Sequence, residues 1–302
     1  MIGGCSTMAT ILAVPANTAP RRRRARSLGE IAFYLVCGAF ALAFLFPLVW
    51  SGLTSLKPPA EITATPPTWL PRALTPDNYV ALQGVGAGVW RYLANSVLVV
   101  VYTLIGTVVL STLGGYGFAR FNFPAKNALF VLVLAPLMIP FQAIMIPLFL
   151  VLRELHLNNT LFGLAMVYVT AQLPFGVFVM RNAFASIPRE IEEAALLDGC
   201  SLLRMLFQMM LPLVMPGIVT ISLFAFFSSW NEFYAALIYL SDGDKFTLPL
   251  LLAAARTNPG LFGGTNWGGL QASVVVSMLP CLIVFVVLQR YYVSGLASGA
   301  GR

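Results

Sequence analysis

The sequence predicts an all-α polytopic membrane protein with six transmembrane helices and both termini in the cytoplasm. Three observations carry this. The composition is 59 % hydrophobic and 10 % charged over 302 residues, with a mean hydropathy of +0.84, outside the range of soluble globular domains. Six stretches are long and apolar enough for an α-helix to cross a hydrocarbon core of about 30 Å, which takes roughly 20 residues. The Lys and Arg residues fall unevenly on the two sides of those stretches.

Taken in order, residues 1–30 form an N-terminal tail whose Arg21 to Arg24 and Arg26 precede the first span, Ile31 to Leu53. That run is too long for the apolar region of a secretory signal, and no A-x-A-like site follows it. The basic cluster therefore reads as the inside anchor of a retained helix. The first loop, Thr54 to Arg91, contains Pro58, Pro59, Pro66, Pro67, Pro71 and Pro76 and is expected to lie semi-extended over the membrane face. The second span is Leu93 to Ala119, where Gly114, Gly115 and Gly117 permit close helix contact. The third, Ala128 to Leu152, carries Pro136, Pro140 and Pro147. Lipid cannot replace the backbone hydrogen bonds that prolines remove, so this helix must pack among neighbours or line a cavity.

The fourth span is Leu161 to Met180 and the fifth Met215 to Leu240, within which Glu232 is the single charge found in any of the six. Between the fifth and sixth spans, "FTLPLLLAAA" is too short to cross and reads as an interfacial or re-entrant helix. The sixth span is Gln271 to Gln289. The membrane domain is thus 31–292, with a short tail at 293–302.

Placing the N-terminus inside puts twelve of the eighteen basic residues in the cytoplasm, among them Arg120, Lys126, Arg181, Arg189, Arg204 and Arg290. Lys57, Arg72, Arg91, Arg153, Lys245 and Arg256 remain outside. The loop between the fourth and fifth spans is then cytoplasmic. Cys5, Cys37, Cys200 and Cys281 make no CxxC pair, and His156, in a short outer loop, has no partner residues for a metal. Neither a disulfide nor a metal site is implied.

The cytoplasmic loop, 186–212, gathers Glu190, Glu192, Glu193 and Asp198. Pro188 suits a first helical turn, the glutamates suit the positive end of a helix dipole, and Gly199 after Asp198 suits a left-handed stop. The expected result is a helix over Pro188 to Asp198, a glycine turn, and a second helix, Leu202 to Met210, capped by Ser201 and ended by Pro212 and Pro216. Ala194 and Ala195 would form a small face open to another protein. An acidic solvated loop is the alternative reading.

"EAALLDGCSLLRMLFQMMLPLVMPGI" resembles the EAA loop of ABC importer permeases. Glu193, Ala194, Ala195, Asp198, Gly199, Pro212, Leu213, Pro216 and Ile218 match the pattern, and Cys200 stands where the family usually has Ala. "SLKPPAEI", "TPDNY", "GYGFARFNFPAKN", "MIPFQAIMIPLFLVLRELHLNNT", "SSWNEFYAAL" and "QRYYVSGLASGA" are similar to segments of the carbohydrate-uptake, maltose-transporter-type branch. The resemblance implies a bacterial or archaeal inner-membrane subunit that pairs with a second homologous permease. Its other implied partners are cytoplasmic ABC ATPase subunits, which dock on the EAA loop, an extracytoplasmic solute-binding protein, a sugar, and membrane lipid. It implies no cofactor and no nucleic acid.

ATP hydrolysis is expected elsewhere. A phosphate-cradling P-loop needs G-K-[ST], and the lysines read Lys57-Pro58, Lys126-Asn127 and Lys245-Phe246. No Ser/His/Asp or paired-carboxylate constellation suggests catalysis. For substrate, "SSWNEF" sets Trp230, Asn231 and Glu232 side by side: an aromatic face, an amide and a carboxylate that suit a sugar. A Glu within a span points to a role; an outer-interface position, where water reaches it, is the competing reading. Asn266 and Trp267, near the end of the last outer loop, are candidates for contacting the binding protein, or else only close the bundle. A permease for glycerol phosphate, amino acids or peptides stands as the alternative within the class. An ion-coupled carrier would call for more spans and buried charges, and a passive pore needs no EAA elbow.

Overall fold

The computed structural model describes residues 28–257 and 267–299, and every regular element among the described residues is helical. The chain forms two compact units, Met1–Pro47 and Leu48–Arg302. The first carries the beginning of α1 (Leu28–Ser55), a helix that continues through Pro47 and leaves Phe33, Phe40 and Phe44 exposed.

In the second unit the proline-rich stretch after α1 is folded rather than semi-extended. It holds α2 (Pro59–Ile62), α3 (Asp77–Ala81) and a 3-10 turn at Leu82–Gly84. Proline stiffness is only part of the reason, because polar side chains tie the stretch to itself. Lys57 is buried, donating to Thr68 O at 2.5 Å with its ammonium 4.8 Å from the Trp50 ring centroid. The Glu61 carboxylate accepts from the Thr68 hydroxyl at 2.6 Å and from the Arg72 amide at 3.1 Å. The hydroxyl first, and then the amide, hold the Glu61 carboxyl below its ordinary value. Buried Asn78 donates to Ser55 O and Lys57 O, both at 2.8 Å.

The centre of the unit is a pair of long helices, α4 (Val89–Arg120) and α7 (Leu161–Ala185), which pack on each other more extensively than any other two elements. Small residues allow the approach. A Cβ on Gly106 would press on Val169, one on Gly114 on Val177, one on Gly115 on Met180, and one on Gly176 on Ser111. Gly117 meets nothing, so only part of the predicted glycine cluster serves the contact.

The predicted third span is a bent pair rather than one helix. α5 (Lys126–Leu134) runs into a 3-10 turn, Ala135–Met138, and α6 (Phe141–Glu154) leaves at 106°. Pro136 lies in the first residues of the turn and Pro140 caps α6, where a missing N–H is harmless, whereas Pro147 lies inside α6. The fifth span is also divided. α11 (Met215–Asn231) stops at Glu232, and α12 (Tyr234–Tyr239) follows at once. α13 (Leu248–Thr257) is the predicted short helix, with Leu248, Leu250 and Leu251 buried. α14 (Trp267–Gly299) is longer at both ends than the predicted sixth span. Among the described residues, four helices are long and apolar enough to cross a membrane, and up to six if each of two bent pairs counts as a span.

Candidate functional site

The loop between α7 and α11 folds into a helix, turn, helix elbow. α8 (Arg189–Leu197) begins after Pro188, which sits at the N-cap just ahead of the first turn. It ends at Asp198, and Gly199 takes φ +78. Gly199 N donates to Leu196 O and Cys200 N to Ala195 O, both at 3.0 Å. That pair of bonds is the Schellman arrangement and satisfies carbonyls the helix end leaves open. Ser201 then caps α9 (Leu202–Met205) by accepting from Arg204 N.

Beyond α9 the predicted ending by Pro212 does not occur. The chain continues as a π-helical turn, Leu206–Met210, and α10 (Leu211–Leu213), with Pro212 among the first residues of α10, where it removes no needed donor. The Leu202–Leu213 segment then meets α11 at 75°.

Two faces of the elbow differ. Inward, Ala195, Met205, Leu206 and Met210 join Met180 and Phe184 of α7 in one buried cluster, with Cys200 packed against it. Ala195 therefore belongs to the chain's own core, and the expected two-alanine docking face reduces to Ala194. The reason is helical geometry: consecutive residues of α8 point about 100° apart, so Ala195 falls on the face packed against α7 while Ala194 does not. Cys200 in place of Ala is accommodated at the edge of the same cluster. Outward stand Glu190, Glu193, Ala194 and Asp198, together with Leu197, which is 89 % exposed, and Leu203, 70 % exposed.

Among the acidic residues Glu192 behaves differently from its neighbours. It forms an ion pair with Arg120, the last residue of α4, with both side chains mostly buried. Arg120 also donates to Ile187 O at 2.9 Å. This clamp between α4 and the elbow was absent from the sequence reading, where Arg120 counted only as a topological charge. The one available signal was a basic residue at a span end facing a cluster of glutamates.

The predicted pathway triplet separates in space. Trp230 is buried, stacks on Phe226 at 5.9 Å and donates from Nε1 to Ser277 O at 3.1 Å. It holds α11 to α14 and offers no free ring face for a sugar, because consecutive helical residues point about 100° apart. Asn231 is exposed, with Nδ2 donating to Phe227 O at 2.8 Å. Glu232 sits at the break after α11, accepting from the Tyr168 hydroxyl at 2.7 Å and from Ala235 N at 3.0 Å. One turn away, Gln172 Nε2 donates to Ser228 Oγ at 2.5 Å. Two polar rungs thus join α7 to α11. Trp267 opens α14 and is exposed, whereas Asn266 lies outside the described residues. His156 is exposed in its loop.

Residues 108–298 match the family described as binding-protein-dependent transport system inner membrane component. A diacetylchitobiose uptake system permease protein of Streptomyces coelicolor is 32 % identical over 259 residues, covering 86 % of this chain and 92 % of that protein. An arabinooligosaccharides transport system permease protein of Halalkalibacterium halodurans is 33 % identical over 273 residues, covering 89 % and 96 %. Among solved structures, a chain of a bacterial ABC transporter that imports the acidic polysaccharide alginate aligns with TM-score 0.75 at 25 % identity, over 91 % of this chain and all of that one.

Proposed function

The chain belongs to the family of binding-protein-dependent transport system inner membrane components, and from that membership we propose that it is a permease subunit of an ATP-driven importer of a sugar or oligosaccharide. The relatives whose names state a cargo support the substrate class, since they move diacetylchitobiose and arabinooligosaccharides. ATP is hydrolysed by separate subunits on the cytoplasmic side, a second permease completes the pathway, and a loaded binding protein delivers the solute. ATP and the loaded binding protein must both favour one conformation over another for their binding to drive transport.

The observation that carries the coupling role is the elbow. Its Gly199 turn and the Arg120–Glu192 pair fix it to the chain's own core, while Glu193, Ala194, Leu197 and Leu203 face outward. In this reading Glu193, Ala194, Asp198 and Gly199 serve ATPase docking directly, and Ala195 and Pro212 serve it through the shape of the elbow. Asn231 and Glu232 are the pathway candidates, and Trp267 the described candidate for the binding protein.

The test is an affinity pull-down of tagged permease with uptake measured in parallel. Glu193→Lys reverses an outward charge without touching the core, so the variant is expected to insert normally, lose its ATPase subunits and lose ATP-dependent uptake of labelled oligosaccharide. Full retention of ATPase subunits by this variant sinks the docking assignment. Uptake by the unaltered complex that ignores ATP sinks the importer reading itself.

A further inference from the structure

Each end of α4 carries a polar attachment to an element distant in sequence. At its C-terminal end is the Arg120 clamp on Glu192 and Ile187 O. Near its N-terminal end, buried Asn95 donates through Nδ2 to Asp244 O at 2.8 Å and to Phe246 O at 3.0 Å. The next residue, buried Ser96, accepts through Oγ from Leu248 N at 2.8 Å. Leu248 is the first residue of α13, so Ser96 satisfies from another helix an amide that the start of α13 leaves without an intrahelical partner.

α4 is one unbroken helix without proline, about 48 Å long in all at 1.5 Å per residue. Asn95 and Arg120 lie about 38 Å apart along its axis. Close packing of Gly106, Gly114 and Gly115 against α7 backs α4 with a second helix over the intervening turns.

We propose that Asn95 and Ser96 are positioning residues that fasten the loop Asp242 to Phe246 and the start of α13 to α4, making α4 a strut between that outer loop and the elbow. The proposal rests on the coupling role assigned to the elbow above. Its content is physical: a displacement of the loop is carried along α4 to Arg120, and a displacement of α8 is carried back. Such coupling is reciprocal by thermodynamic necessity.

The variants are Asn95→Asp, which keeps the shape but turns two donors into acceptors facing carbonyls, and Ser96→Ala, which removes one acceptor. Amide hydrogen exchange is followed in the purified assembled transporter in lipid nanodiscs. Both variants are expected to speed exchange by about tenfold at Asp244 to Leu251, the local consequence of lost bonds. The deciding readout is remote. Exchange at Glu190 to Cys200 should change by at least about fivefold, the lower end of ordinary coupling. Arg120→Gln should in turn change exchange at Asp244 to Leu251. A local increase with an unchanged elbow reduces Asn95 and Ser96 to a loop anchor and overturns the strut. Should Asn95→Asp fail to assemble, Ser96→Ala carries the comparison alone. Because exchange needs neither ATP nor solute, its outcome stands apart from the uptake assay that tests the importer reading.

Discussion

At the scale of single residues, Glu232 shows how a structural reason can stand beside a chemical one. A carboxylate in an otherwise uncharged apolar stretch is costly and invites a functional role. Here the helix breaks at that residue, and the carboxylate receives both the Ala235 amide and the hydroxyl of Tyr168, which is only 3 % exposed. The break and the charge explain each other, since an interrupted helix leaves amides that need an acceptor. Glu232→Gln keeps an acceptor oxygen for Ala235 N and should melt close to the unaltered protein. Glu232→Leu strands a buried hydroxyl and an amide, at a cost of about 1–3 kcal/mol for each group left unpaired, and should melt clearly lower in detergent. Equal melting of the Leu variant would remove the capping role and return Glu232 to the pathway alone. None of this was legible in "SSWNEF": the sequence placed three polar or aromatic groups together, and helical geometry sends Trp230 into the core and Asn231 outward.

At the scale of elements, the elbow was the most legible part, because its signals are local. Pro188, the glutamates, Gly199 and Ser201 each act on their own turn of backbone, and each is found at the predicted position to within a residue. Its inward face was not legible, since Ala195 and Arg120 acquire their partners only through tertiary packing. The bends of the third span were foreshadowed by prolines, but not their sharpness, which depends on what the neighbouring helices tolerate. Gly199 supplies an element-scale prediction. A Cβ there meets nothing within 4 Å, so any penalty is that of the left-handed backbone itself. Gly199→Val should cost about 1–2 kcal/mol, shift α9 relative to α8, and uncouple ATP hydrolysis from uptake while the protein still inserts. Gly199→Asn, whose residue type tolerates left-handed geometry, should stay coupled. Normal coupling in the Val variant would show that the turn's handedness does not matter to transport.

For the whole molecule, composition alone placed the chain in a membrane, and the long uninterrupted helices appear where hydropathy put them, α7 starting at the predicted Leu161 and the other ends overrunning the predicted ones by one to ten residues. Long spans are legible because lipid demands that every backbone group be satisfied within the helix, which makes length and apolarity sufficient signals. Orientation is a separate question, and it rests on charge. Arg120, Lys126, Arg181, Arg189 and Arg204 lie at the elbow end of the bundle's helices or in the elbow itself, and Arg91 and Lys245 lie toward the other end of α4. Basic residues near span ends are held on the cytoplasmic side, so the elbow is expected to be cytoplasmic and the loop at Gly243 external. The same assignment makes α4 run from the solute-delivery side to the ATPase side, as the strut requires. Gly243 has open space around its Cα and accepts an inserted reporter that is active only outside the cytoplasm. A fluorescent protein that folds only in the cytoplasm, joined after Arg302, supplies the opposite signal. Activity from the Gly243 insertion together with fluorescence from the C-terminal fusion is the expected pair. The reverse pair would turn the elbow away from the ATP supply and end its assignment as the coupling surface.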